Sequence, residues 1–418
     1  MPLPETEILT SIVARVFRVD EVTSGDARQG YFLRYRGELL LNSAEAYDRL
    51  AEALRPYDIT PLFRIENGRQ TIRLLTGTIQ IKPGRVSVNI ALFILTLLSV
   101  MLAGAMYSYT GPLPCDFWGQ VKTLLLNIWT GWPFAVSLLA ILLAHEFGHY
   151  FVGRARGAAV SLPYFIPFPF SILGTMGAFI QLKQLPKNKR ALFDLAIAGP
   201  LSGLVVAIPV LVLGISLSKV GTVENTYYTK DAGQCEFCSN TALPGDSYSC
   251  PDDNMLEGNS LLYLGLKYAL KGQLLPSPAS YAASPLLHWL RFFFTGKPIP
   301  VGGLDVEIHQ VAMAGWAGLL VTFLNLIPAG QLDGGHLLYA VFGKRVRFVL
   351  PVILACLVVL GLFWSGWWIW AGLIFLFGRA HAEPLDEITE LDASRKILAV
   401  VMLVVFLLVL TPVPFTLF

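Results

Sequence analysis

From residue 86 onward, long apolar runs alternate with short basic clusters. The runs lie at about Val86 to Tyr107, Val121 to Ala144, Leu192 to Leu217, His309 to Ile327, Phe348 to Phe363, Trp367 to Phe377 and Ile397 to Leu410. About twenty apolar residues on a helix cross a hydrocarbon core of ~30 Å, so the pattern predicts a polytopic α-helical membrane protein of about seven spans. Lys82 and Arg85, Arg154 and Arg156, Lys187 to Arg190, and Lys344 to Arg347 mark alternate span ends. The positive-inside rule puts those ends in the cytoplasm.

Residues 1–82 have a different rhythm and predict a small soluble α+β domain on the cytoplasmic side. Ile12 to Val22 and Tyr31 to Leu41 contain strand-like alternation. Ser43 is placed to cap a helix with Ala46, Leu50 and Leu54 on one face, ending before Pro56. Ile59 to Ile65, a turn at Asn67-Gly68 and Gln70 to Leu75 read as a hairpin. The expected order is ββαββ, with a docking or regulatory role. Residues 83–418 form the membrane domain, with a core at about 86–345 and C-terminal spans within 348–410.

Two stretches of the membrane domain break the helical pattern. Residues 160–183 are apolar, but Pro163, Pro167 and Pro169 exclude a continuous helix. Gly174-Thr-Met-Gly177-Ala-Phe179 follows, strand-like with glycines. Irregular backbone at membrane depth must be covered by protein or a wet cavity, which predicts a re-entrant β-hairpin. Residues 218–308 form a long outer region with two short apolar pieces, Leu261 to Leu270 and Leu286 to Phe294, that suit an interface. Cys115, Cys235, Cys238 and Cys250 all fall on that outer side, where disulfides are favoured over a four-thiolate zinc site. Cys356 reads as a small buried apolar residue of the fifth span.

Composition agrees. The 418 residues are 54% hydrophobic and 14% charged, with net charge +2. That balance fits a lipid bilayer and excludes nucleic acid as a partner. The first residues lack the basic-then-apolar order of a signal peptide, so insertion is expected to use the first internal span.

The chemistry is concentrated at His145-Glu146-Phe-Gly-His149. Positions i and i+4 share a helix face, so the two imidazoles can meet one ion while Glu146 takes a proton from water. His149 lies five residues before Arg154, or ~8 Å along a helix, which puts the motif inside the membrane near its cytoplasmic side. Buried ionisable groups in lipid are costly and point to function. A catalytic zinc needs a third ligand, and none follows His149 closely. Asp333 is the leading candidate, one of very few carboxylates expected at that depth; His336, three residues on, is its rival.

His145-Glu146-x-x-His149 in a membrane helix, Gly174-x-x-Gly177 in a hairpin and Asn325-x-x-Pro328-x-x-x-Leu332-Asp333-Gly334, in that order, resemble the site-2 protease family of intramembrane zinc metalloproteases. The wording around Gly315-Trp316 and Gly330 to His336 is similar to bacterial and plastid members that carry a soluble N-terminal domain. The resemblance covers about residues 86–345. It implies one catalytic Zn²⁺ held by His145, His149 and Asp333, with Glu146 as general base and proton donor. It implies that Asn325 and Pro328 line the substrate site. The edge strand from Gly174 and Gly177 through Phe179 would hold an unwound substrate segment. Single-span membrane proteins are the expected substrates, and a bacterial inner membrane is the expected location. A transporter is disfavoured, since no span repeat and no second polar cluster are present. An inactive helix-binding scaffold is disfavoured by the intact motif.

Overall fold

A computed structural model describes residues 4–26, 30–77, 84–114, 116–223, 255–281, 284–296, 303–378 and 383–417. Cys115, Cys235, Cys238 and Cys250 lie outside the described residues.

The N-terminal unit is an α/β layer. Helix α1 (Thr6–Val13) precedes β1 (Phe17–Ser24), β2 (Leu33–Leu39), α2 (Ser43–Leu54), β3 (Ile59–Glu66) and β4 (Arg69–Thr76). The strands form one antiparallel sheet in the order β1-β2-β4-β3. Leu9, Ile12 and Val13 share one face of α1 and are buried, so the segment expected to open a strand at Ile12 ends a helix instead. A spacing of three and four residues is helical, and the two-residue alternation begins only at Phe17. Asn42, not Ser43, caps α2 by accepting from the Ala44 N–H. Ser43 is the first helical residue and its hydroxyl is engaged elsewhere, as described below. Leu9, Tyr35, Leu50, Leu54, Phe63 and Leu74 fill the space between helices and sheet.

Among the described residues of the remainder, three helical stretches are long and apolar enough to cross a membrane: Val86–Ser108, Ile128–Ala155 and Lys189–Leu217. The first is α3. The apolar run expected to be one span from Val121 is divided. Helix α4 (Phe117–Leu126) stops at Asn127, and a short 3₁₀ turn leads into α5 (Trp132–Ala155). Asn127 is the polar residue in that run whose side chain bonds back to the Thr123 carbonyl, in competition with the helix. Pro133 then suits the first turn of α5, and Gly157, at φ +74°, terminates it.

The proline-rich stretch is a two-stranded hairpin, β5 (Tyr164–Pro167) and β6 (Thr175–Phe179), with Tyr164 opposite Phe179. Helix α3 covers its turns. Asn89 Nδ2 donates to the Leu162 and Pro163 carbonyls, Ser99 Oγ to the Gly174 carbonyl and Tyr107 OH to the Ile172 carbonyl. These bonds satisfy irregular backbone that lipid could not.

Helix α6 (Lys189–Leu217) starts at an Asn188 cap and packs along α5. Two amphipathic helices follow, α7 (Leu261–Lys271) and α8 (Pro285–Thr295). Next come α9 (Gln310–Leu326), α10 (Asp333–Phe342), α11 (Leu350–Leu360), α12 (Gly366–Phe377) and α13 (Ala393–Val409). At 11 and 12 residues, α11 and α12 rise about 17 Å each, well short of a ~30 Å core. Cys356 on α11 is exposed rather than buried, on a side shared with other exposed apolar residues such as Val352 and Val359.

A distal cap sits at the far end of α6 from its N-terminus. There Glu257, Tyr263, Lys267 and Asp305 are all buried. Tyr263 OH donates to Glu257 at 3.1 Å, and the Lys267 ammonium lies 3.5 Å from the same carboxylate and 4.4 Å from the Tyr263 ring centre. Burial and the nearby Glu257 charge push the Asp305 carboxyl up to about 7, against the pull of Lys267. A carboxyl raised on folding stabilises the fold below its unfolded pKa and loses that contribution as pH rises toward the folded value. The melting temperature in detergent is therefore expected to fall between about pH 4 and pH 7. Asp305→Asn should flatten that slope, measured by thermal unfolding of both proteins.

Candidate metal centre

Helix α5 presents His145, Glu146 and His149, all buried, toward α6 and α10. Asp333 is the first residue of α10, reached from α9 through the turn Ile327–Leu332. That turn is tight because of two glycines. A Cβ on Gly334 would lie 2.1 Å from the Leu326 carbonyl oxygen, and one on Gly335 2.4 Å from that of Gly330. Without side chains there, α10 folds back onto the end of α9 and carries Asp333 to α5.

The His145 and His149 Nε2 atoms are 3.2 Å apart, and Asp333 Oδ2 is 3.3 Å from each. Tetrahedral zinc with N and O bonds of about 2.0–2.1 Å keeps neighbouring donors about 3.3 Å apart, so this triangle fits such an ion. Among the described residues these three form the one group of His, Cys, Asp and Glu spaced to hold a metal. His149 Nδ1 donates to the Leu195 carbonyl at 2.8 Å, which leaves the Nε2 lone pair for a ligand and fixes the ring.

Helix α6 is shaped to admit the imidazoles. A Cβ on Gly199 would lie 2.0 Å from His149 Nε2, and one on Gly203 3.3 Å from His145 Nδ1. Gly148 gives the reciprocal space on α5, facing the Ala198 carbonyl, and Ser202 Oγ bonds the Ala144 carbonyl at 2.8 Å. Small residues let the two helices approach closely. The sequence shows Gly199 and Gly203 as packing residues; their role as the floor under the histidines appears only when α6 is set against α5.

Asn325 lies at the end of α9, its Nδ2 3.4 Å from His145 Nε2, and Pro328 is in the turn before Asp333. His336 is not in the ligand triangle. With Gln331 it lines a cleft of about 560 Å³ whose other wall is Phe179 to Pro186. Ile180 lies on that wall, and Glu146 is buried beside the two histidines. Gly174, at φ +70°, is pressed against α3, where a Cβ would meet the Ser99 carbonyl at 2.5 Å. Gly177, at φ +99°, has open space around it, and Phe179 is half exposed and stacked on Tyr164. The hairpin side of the site is thus a short strand whose second edge has no strand partner among the described residues.

Gly199→Ala should displace His149 and weaken divalent-metal binding at least ~10-fold without loss of helix content. Gly203→Ala, with its longer contact, should be milder. Metal retention against a chelator, followed with circular dichroism, measures both.

Residues 133–363 match the sequence profile described as Peptidase family M50. The chain is 29% identical over 307 residues to the probable zinc metalloprotease EGY1, chloroplastic, of Oryza sativa subsp. japonica, covering 73% of this chain and 43% of that protein. Its counterpart in Arabidopsis thaliana is 28% identical over 285 residues, covering 67% and 43%. The probable zinc metalloprotease EGY2, chloroplastic, of Oryza sativa subsp. indica is 27% identical over 283 residues, covering 67% and 42%. The matched part spans less than half the length of these relatives. With a profile match across more than half of its residues, the chain belongs to peptidase family M50, the site-2 protease family.

Proposed function

We propose that the protein is an intramembrane zinc endopeptidase that cuts single-span membrane proteins near the cytoplasmic end of their transmembrane segment. The observation that carries this reading is the donor triangle of His145, His149 and Asp333 with Glu146 beside it, buried among helices apolar enough for a bilayer. Zinc fits the donor set and, when bound, supplies Lewis acidity that acidifies water toward pKa ~7 and polarises a peptide carbonyl. Glu146 takes the proton of the attacking water and returns it to the leaving amine. Asn325 and Pro328 border the reacting carbonyl, and Asn325 bonds the substrate backbone.

The substrate helix must unwind to expose a carbonyl. The unpaired edge of β6 offers backbone partners to the unwound segment, with Gly174 and Gly177 setting its shape and Phe179 contacting side chains. A polytopic arrangement with a re-entrant hairpin belongs to the same proposal, with α11 and α12 too short to cross singly and the N-terminal unit a cytoplasmic domain on the side of the metal site. Basic residues at Arg154, Arg156 and Lys187 to Arg190, on the ends nearest the site, support that orientation. The curated relatives are plastid proteins, so the host membrane is specified here as a bilayer with this polarity rather than as a bacterial inner membrane.

The test is cleavage of a purified single-span substrate, with zinc content measured on the same samples. Glu146→Gln should lose at least ~100-fold in turnover while retaining one zinc. Asp333→Ala should lose zinc and activity together. Wild-type turnover by Glu146→Gln, or absence of bound zinc in active protein, would overturn the reading.

A further inference from the structure

The acidic segment between α12 and α13 joins three parts of the molecule. Leu385 and Asp386 donate their N–H groups to the carbonyls of Pro186 and Lys187, at 2.9 and 2.8 Å. On its other side the segment bridges the outer edge of β3 in the N-terminal sheet. Phe63 N–H donates to the Leu385 carbonyl at 2.9 Å, and Glu387 N–H to the Phe63 carbonyl at 3.1 Å. The strap thus pairs with the edge of β3 at one point, a parallel bridge between Phe63 and Asp386.

Side chains lock the arrangement. Leu385 is buried in the core of the N-terminal unit. Asp386 is fully buried and accepts from Ser43 Oγ at 2.8 Å, from the backbone of Ile388 and Thr389, and from the Thr389 hydroxyl. Arg64, also buried, donates to the carbonyls of Phe63, Pro384 and Leu385 and faces Glu383 and Glu387. Glu387 in turn accepts from Tyr339 OH of α10 at 3.5 Å and pairs with Lys344 at 3.0 Å. A second ion pair, Lys187 to Asp48, joins α2 to the same stretch.

The two elements the strap holds are those that build the site. Pro186 ends the cleft wall that runs from Phe179, and α10 carries Asp333 and His336. We propose that the N-terminal unit controls the cleft through residues 384–387: docked, it holds the wall and α10 in the arrangement that cleaves, and release of the strap switches turnover off. The residues involved are positioning residues, remote from the reacting atoms. The turnover arm of the test rests on the proteolytic reading above, whereas the structural arm does not.

Two variants release the strap by different means. Arg64→Ala removes the donor shared by three carbonyls, and Leu385→Asp puts a charge into the N-terminal core. Hydrogen exchange reports release as lost protection of the Phe63 and Glu387 amides, with α1 and β2 as a check that the unit stays folded. On release, exchange at residues 184–188 and across α10 should rise at least 10-fold. kcat should fall at least 10-fold with KM changed less than 3-fold and zinc content unchanged. An oxidised Ser43→Cys, Asp386→Cys pair, confirmed by mass mapping and placed in the Arg64→Ala background, should restore both protection and kcat, and its reduction should remove them. A released strap with wild-type exchange at 184–188 and α10 would overturn the proposal, whether or not the wild type cleaves the chosen substrate. So would altered exchange with an unchanged kcat in an enzyme that Glu146→Gln inactivates.

Discussion

Everything at the centre of this molecule depends on three donor atoms meeting within about 3.3 Å of one another, as a tetrahedral ion requires, although they come from two elements far apart in the chain. Two imidazoles one helical turn apart meet with little help. The carboxylate cannot, and its arrival rests on close backbone approach. Gly334 and Gly335 let α10 fold against the end of α9, and Gly199 and Gly203 let α6 lie over the histidine rings. A single methyl at any of these contacts meets backbone or an imidazole. The Leu195 carbonyl then turns the His149 ring so that Nε2 faces the centre.

Placing such a site among apolar helices sets a second problem, that of backbone without secondary structure. The hairpin at 164–179 solves it by borrowing donors from α3. Asn89, Ser99 and Tyr107, spaced along one helix, reach the carbonyls its turns leave over. Asn89, Ser99 and Tyr107 therefore have a packing explanation, and the second edge of β6 has no strand partner among the described residues. That combination, a covered turn and an uncovered edge, is what gives the peptidase reading its physical content.

Polar groups away from the centre are arranged on the same logic, with each buried charge given partners. Lys267 lies against Glu257 and Tyr263 in the distal cap. Asp194 on α6 receives Arg395 from the start of α13 in a two-bond pairing and Arg156 from just past the end of α5. Arg64 and Asp386 bind the N-terminal unit to the strap. The Arg395–Asp194, Arg64 and Asp386 contacts join segments 201 to 343 residues apart, so the end of the molecule that bears the basic clusters is held together by charge and backbone pairing as well as by apolar burial.

By itself the sequence determined what depends on local spacing. Apolar run length marked a membrane protein but counted seven spans where three helical stretches among the described residues are long enough to cross; residues i and i+4 placed His145 and His149 on one face, and the prolines excluded a helix over 160–183. The ββαββ order of the N-terminal unit was legible from alternation and from the Asn67-Gly68 turn. Local pattern was misleading where a competing local effect intervened: Asn127 divides the run that begins at Val121, and α1 occupies the start of a segment that alternates only from Phe17. The sequence favoured Asp333 over His336, and tertiary structure brings Asp333 to the histidines while His336, in the same turn of α10, faces the cleft. Tertiary structure also decided that Gly199 underlies His149 and that residues 384–387 bridge the edge of β3 at Phe63. Those contacts span about fifty to three hundred residues, and no periodicity along a chain encodes which distant backbone edge or small residue will face another.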